Sequence, residues 1–271
     1  MAIKIDKDIT MNKDITMNRD IKINKVNIAV ILSTLITAPL AHAALGFDKS
    51  PDVDLQTVTI SVGPSEVNTP THFAPLGSPG IGISLLADGK RIAFQGLSFI
   101  PKDGNGIHDS SLVPPHHKNI GIYRFGQVAD EDVYFGDWTY QEGEEHYRNI
   151  YYAGQQVSTD LPTEGSATYT TQGISAGYSE NGLITGELIA DFASNTLIGD
   201  LTNTELALNI KAEIASDQGH FKGDAIMQHD AITHNGETTG HFFNSQGSSL
   251  AGIATFNSAR EYDSSFSGKK Q

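Results

Sequence analysis

The chain has 271 residues, no cysteine, and an excess of acidic over basic side chains that gives a net charge of −14 at pH 7. Such acidity argues against nucleic acid or anionic lipid as a partner. Without cysteine there are no disulfides, so the core must stabilise the fold alone, and we expect no lipid anchor or other membrane anchor at the N-terminus.

The first 43 residues have the pattern of an export signal. An apolar stretch from Val26 to Leu40 follows a basic segment and precedes Ala41-His42-Ala43, a small-residue cleavage pattern. We therefore predict a leader and signal peptide over residues 1–43, cleaved after Ala43, and a secreted, extracellular protein. The motif KDITMN, which starts at Lys7 and again at Lys13, is interpreted as a duplicated leader or a misplaced start codon.

Strand signals dominate the rest of the chain. Residues 57–62 (TVTISV) alternate polar and apolar side chains, as a half-buried strand does. No helical spacing of comparable length occurs. Four pairs of Asp or Asn with Gly predict tight turns: Asp88-Gly89, Asp103-Gly104, Asn181-Gly182 and Asn235-Gly236.

From Ala167 onward the strand signals recur at short, regular spacing. The clearest, Glu205 to Ile214, places Leu206, Leu208 and Ile210 on one face. Eight antiparallel strands can close into a barrel that has no exposed edge. The eight predicted strands are 167–172, 183–192, 196–201, 205–214, 220–229, 237–244, 249–257 and 261–267.

The preceding half differs in composition, because seven of the ten prolines lie between Pro64 and Pro115. We therefore predict an all-β protein with a boundary near Leu161-Pro162. A loop-rich N-terminal β domain over 44–161 precedes a C-terminal eight-stranded antiparallel β-barrel over 162–271. Binding residues concentrate on loops that a rigid scaffold supports.

Histidines on these proline-stiffened loops are the best candidates for chemistry. His72 lies in the sequence TPTHFAP, beside Phe73, and His116 and His117 follow Pro114-Pro115. An imidazole on a stiff loop beside apolar groups suits axial ligation of haem iron. Candidate apolar walls are Phe73, Phe99, Ile107, Leu112, Val113 and Tyr123, and candidate cations for the propionates are Lys118, Lys102, Arg91 and Arg124.

Other interpretations stay open at this point. A histidine in a polar loop is often only a surface residue, and the spacing of His108, His116 and His117 lacks a zinc signature. We interpret the barrel histidines 220, 229, 234 and 241 as solvent-facing or structural. Catalysis lacks support, since there is no cysteine and no G-x-S-x-G elbow, and the acidic pairs are typical of solvated charge. An exported hydrolase would need paired carboxylates in a pocket.

Several motifs of the C-terminal half resemble proteins with a transferrin-binding-protein-B-like barrel. Residues 164–170 (EGSATYT) resemble the opening strand of that barrel, and 266–270 (FSGKK) resemble its last strand. The pair GHFF at 240–243 and LAGIATF at 250–256 is similar to a recurring strand pair of the family, and VYFGDW at 133–138 to a strand of its N-terminal part. The likeness covers roughly residues 130–271.

A chain with this barrel, a signal peptide and no lipobox cysteine resembles the hemophilin group of secreted haemophores. The resemblance implies a non-enzymatic protein that binds haem b (iron protoporphyrin IX) in its N-terminal domain. It implies His72 and one of His116 or His117 as iron ligands, with His108 in reserve. Among the candidate apolar walls, Phe73 and Tyr123 are the predicted haem contacts. The resemblance also implies a Slam-type outer-membrane translocon and a TonB-dependent haem receptor as partners. The alternative is a cofactor-free host-interaction or colonisation factor of the same barrel family.

Overall fold

The computed structural model describes residues 44–53, 56–114, 120–176 and 182–271. In these ranges the ordered elements are β-strands and short 3₁₀ turns, as the all-β prediction requires. They belong to one compact unit that spans His42–Gln271. No helix in the described ranges has the length and apolarity needed to cross a membrane.

The C-terminal part is a closed antiparallel barrel. Each strand pairs with its neighbour in the chain, and the last strand pairs with the first through the register Phe266↔Gly173, so the sheet has no free edge. The predicted inward face is confirmed, since Leu206, Leu208 and Ile210 are all buried. The eight strands are β9 (Ser166–Ile174), β10 (Leu183–Asp191), β11 (Thr196–Thr202), β12 (Leu206–Ala215), β13 (His220–His229), β14 (Ile232–Phe243), β15 (Ser249–Thr255) and β16 (Ser264–Lys270).

One predicted turn of the barrel is wrong. Asn235-Gly236 lies inside β14, and the chain reverses earlier, at Asp230, whose φ is 54°. A side chain at position 236 would collide with the carbonyl of Thr255 and the ring of Phe256, so this glycine permits a close approach of strands. Asp88-Gly89 does turn with positive φ at both residues. Asn181 lies outside the described residues.

The N-terminal part contains two smaller sheets joined by long loops. A five-stranded sheet has the order β1-β8-β7-β6-β5, and a three-stranded sheet has the order β2-β3-β4. The strands are β1 (Leu45–Lys49), β2 (Ile60–Pro64), β3 (Pro79–Ile83), β4 (Ile92–Ala93), β5 (His108–Asp109), β6 (Ile122–Gln127), β7 (Val133–Glu142) and β8 (Glu145–Gln155).

Two apolar clusters hold this part in place. Phe94, Phe125, Trp138 and Tyr151 are fully buried in a core that also includes the apolar residues of β2 and β3. A separate cluster joins the five-stranded sheet to the barrel, with Phe135, Ile150 and Tyr152 of β7 and β8 against Ile174, Phe243 and Ile253. The boundary at residues 161–162 stays a prediction.

A buried carboxylate ties the sheet to the barrel as well. Asp137 of β7 is 1% exposed and accepts from Arg124 at 3.3 Å and from Arg148 at 2.8 Å. Arg148 also donates to the carbonyl oxygens of Asp263, at 2.6 Å, and Ser175, at 3.2 Å, in the barrel region. Charged side chains that are buried away from water have to be paired in this way, because burying an unpaired ion is costly.

We expect Asp137→Ala to lower the free energy of unfolding by about 3–5 kcal/mol, since it leaves two arginines without their shared carboxylate. Urea denaturation measures this. The matched control is Asp52→Ala, which breaks the more exposed 2.7 Å pair with Lys49 and should cost no more than about 1 kcal/mol. Equal losses for the two variants would contradict the role assigned to Asp137.

A histidine pair lies where the sheet meets the barrel. Nδ1 of His241 is 2.7 Å from the Tyr152 hydroxyl, and its ring centroid is 5.0 Å from that of His220. Burial, and then the charge of His220, lower the pKa of His241 to about 4. Burial and then Lys222 lower the pKa of His220, against an opposing effect of Asp48. These barrel histidines are structural, as one of the two sequence interpretations stated.

The depressed pKa of His241 makes stability depend on pH. The unfolded chain protonates this ring near pH 6.5, whereas the folded protein keeps it neutral down to about pH 4. The contribution of His241 to the free energy of unfolding is therefore complete above pH 6.5. It is lost as the pH falls from 6.5 towards 4. Urea midpoints at pH 7.5, 6 and 5 should fall less steeply in His241→Gln than in the wild type. His146→Gln, at an exposed position, should keep the wild-type slope; a His241→Gln slope as steep as wild type would refute the assignment.

Candidate functional site

His72 lies on the loop between β2 and β3, which hydrogen bonds within the loop hold in shape. Its backbone N–H donates to the Thr69 carbonyl at 3.1 Å, and the Ser65 hydroxyl donates to the Pro75 carbonyl at 3.2 Å. Pro70 and Pro75 fix φ on either side of the histidine. The loop therefore presents the imidazole from a restricted backbone, as the proline spacing predicts.

The ring of His72 is oriented by a second loop. Its Nδ1 lies 3.2 Å from the carbonyl oxygen of Gly96, and its centroid is 5.6 Å from that of Phe99. A carbonyl only accepts hydrogen bonds, so Nδ1 carries the proton and Nε2 has a free lone pair in the neutral ring. A neutral imidazole with one nitrogen bonded to a carbonyl and the other open is the usual state of a histidine that binds a metal.

Large apolar side chains are exposed on the same loops. Phe73 is 77% exposed, Phe99 is 57% exposed, and Leu76 also faces solvent. Leu112, in the separate 3₁₀ turn Ser110–Leu112, is exposed as well. Exposed apolar side chains that lie next to one another can form part of a ligand-binding surface. Phe73 and Phe99, which flank His72 in sequence and in space respectively, supply the kind of surface that an apolar macrocycle covers.

The reserve candidate His108 has a different environment. It is 5% exposed, its Nδ1 donates to the Ile100 carbonyl at 2.5 Å, and its ring stacks on Phe125 at 4.5 Å. Burial lowers its pKa, so it is a neutral core histidine. This packing assigns His108 a structural role next to the loop of Phe99.

Tyr123 on β6 faces the core of the N-terminal part. Its backbone N–H donates to the Ser110 hydroxyl at 2.9 Å, and its partly buried ring packs against the core cluster that contains Trp138. Burial raises the pKa of Tyr123, so the phenol stays neutral.

Several of the residues considered for the pocket have other roles. Ile107 is fully buried in the cluster between sheet and barrel, so it is not a wall residue. Arg124 pairs with Asp109 and Asp137, and Arg91 pairs with Glu66 at 3.1 Å, so both cations are already engaged by carboxylates. Lys102 is exposed. His116, His117 and Lys118 lie outside the described residues.

The described ranges contain no cluster of three or more His, Asp or Glu that would hold a metal ion by itself. An open groove of about 770 Å3 lies elsewhere, between Ile122, Tyr140 and Tyr147 of the sheet and Arg260 of the barrel region. The arginines at this groove bind Asp137 and Asp263, so it offers no unengaged guanidinium for an anionic group.

Comparison with known proteins assigns the chain to a family. The model of the HphA N-terminal heme-binding domain matches residues 40–147, and the model of the HphA C-terminal domain matches residues 159–270. The chain belongs to the HphA family. The hemophilin-type resemblance is thereby confirmed, haem is the ligand of the N-terminal domain, and the protein acts in haem and iron acquisition.

Solved structures share the fold. HpuA from Kingella denitrificans, in complex with human haemoglobin, is 14% identical over 85% of this chain and 88% of that one, with a TM-score of 0.55. Its apo form is 15% identical with the same coverage and a TM-score of 0.53. Transferrin binding protein B from Haemophilus parasuis Hp5 is 18% identical over 83% of this chain and 45% of that one, with a TM-score of 0.49. HpuA is described as a haemoglobin receptor.

Phe99→Ala should weaken haem binding about 10-fold or more, because burial of a phenylalanine side chain contributes roughly 1.5–3 kcal/mol. The unfolding free energy should change by less than about 1 kcal/mol, since the ring is already half exposed. Haem titration and urea denaturation separate the two effects. Phe94→Ala, the matched change at a fully buried phenylalanine, should instead cost about 3–5 kcal/mol of stability. Wild-type haem affinity in Phe99→Ala would show that Phe99 does not contact the haem.

Proposed function

We propose that this protein is a secreted haemophore that binds one haem through His72 and one of His116 or His117. The observation that carries the proposal is the His72 imidazole, which has its Nδ1 bonded to the Gly96 carbonyl and exposed phenylalanines beside it. His72 lies within the residues that match the haem-binding model. The apolar side chains Phe73, Phe99 and Tyr123 contact the macrocycle.

The other axial ligand comes from the segment after Pro114. Because adjacent side chains of an extended backbone point to opposite faces, we propose that only one of His116 and His117 reaches the iron. Two histidine ligands give six-coordinate, low-spin iron. The haem-binding domain match argues against the cofactor-free host-interaction alternative.

The route to and from the site follows from the same proposal. The signal peptide directs Sec export, and a Slam-type translocon that acts on the barrel carries the protein across the outer membrane. A TonB-dependent receptor then takes the haem after one ligand segment moves away from the iron. Quantifying the protein in culture medium, with and without the translocon, tests the export step.

The ligand assignment is tested by the visible spectrum of purified protein titrated with haem. We expect wild-type protein to give a low-spin, six-coordinate spectrum with a Soret band, and His72→Ala to lose it. His116→Ala and His117→Ala should differ, with one matching His72→Ala and the other the wild type. His146→Ala, at an exposed position of β8, is the control and should bind as wild type does. If all three loop variants keep the wild-type spectrum, the ligand assignment is wrong.

A further inference from the structure

The carbonyl that His72 contacts belongs to a rigid turn. Gly96 lies in the 3₁₀ turn Phe94–Leu97, and the turn is fixed by Phe94, whose ring stacks on Tyr134 at 4.9 Å and on Tyr151 at 5.6 Å in the core. The chain leaves the turn through a further bond from the Ile100 N–H to the Leu97 carbonyl at 3.0 Å. The acceptor for His72 is thus attached to the core, whereas His72 itself is on a surface loop.

We propose that Gly96 is a positioning residue for haem binding: its carbonyl holds His72 in the Nδ1–H tautomer and aims Nε2 at the iron. The inference rests on the proposed function, in which His72 is an axial ligand. A hydrogen bond from the distal nitrogen of a metal-binding histidine fixes the tautomer and the ring plane and raises the basicity of the ligating nitrogen. The Phe99 ring, at 5.6 Å, further limits rotation of the imidazole.

The lack of a side chain at position 96 is part of this arrangement. A Cβ there would lie 3.0 Å from both the carbonyl carbon and the carbonyl oxygen of His72, and 3.2 Å from its Cα. These atoms are backbone, so an alanine can be accommodated only if the His72 loop moves away by a few tenths of an ångström. The hydrogen bond is already 3.2 Å long, at the upper end of the usual range, so such a shift breaks it.

Gly104 offers a matched control on a neighbouring loop. A Cβ at this position meets no atom within 4 Å, and its φ lies outside the left-handed region, so Gly104→Ala should leave the structure as it is. Both variants make the same chemical change. Only Gly96→Ala alters the environment of His72.

The first measurement is the ¹⁵N chemical shifts of the histidine rings in haem-free protein at alkaline pH. We expect His72 of the wild type and of Gly104→Ala to be in the Nδ1–H tautomer, and Gly96→Ala to lose that preference. Wild-type His72 in the Nε2–H tautomer would overturn the inference whether or not Gly96→Ala folds.

The second measurement is haem affinity. Loss of a hydrogen-bond partner of a metal ligand typically weakens binding about 10- to 100-fold, so Gly96→Ala should bind haem more weakly by that factor and Gly104→Ala as wild type. If His72→Ala loses the low-spin spectrum while Gly96→Ala keeps wild-type affinity and tautomer, the positioning role of Gly96 is wrong and the proposed function stands. If His72→Ala keeps the spectrum, the ligand assignment itself fails and this role fails with it.

Discussion

The carboxylate of Asp137 constrains the positions of both parts of the molecule. It lies on the central strand of three, and the arginines that bind it come from the strands on either side, Arg124 from β6 and Arg148 from β8. Arg148 then bonds to two carbonyls of the barrel region. Each charge is buried only because the others are present, so the sheet cannot shift on the barrel without leaving an ion unpaired. The barrel thereby serves as a rigid base for the N-terminal sheet.

Packed aromatic rings connect this base to the turn that contacts the His72 loop. Phe125 on β6 packs against Phe94 at 5.4 Å, and Phe94 fixes the turn whose Gly96 carbonyl meets His72. The support therefore becomes weaker towards the surface. Phe94 is fully buried, whereas a few hydrogen bonds hold the His72 loop. Binding residues at the outer end can move while the acceptor that orients them stays in place.

The sequence predicted what depends on local pattern. Alternation in Glu205 to Ile214 identifies an inward face, and the prolines around His72 identify a stiff loop, because both signals lie within a few residues. Contacts between residues far apart in the sequence could not be predicted in this way. Nothing near Arg124 shows that Asp109 and Asp137 will bury it, and nothing near His241 points to Tyr152, 89 residues away. The turn predicted at Asn235-Gly236 was wrong for a related reason. The glycine there allows the close approach of the neighbouring strand and does not form a turn.

A haem-binding protein must present apolar surface to its ligand without associating with other copies of itself through that surface. Exposed Phe73 and Phe99 would favour association between copies, but the net charge of −14 opposes it by repulsion. In the proposed site, His72 and a second histidine bind the iron from different segments of the chain. A competing protein would then have to break two iron bonds, rather than one, before the haem leaves.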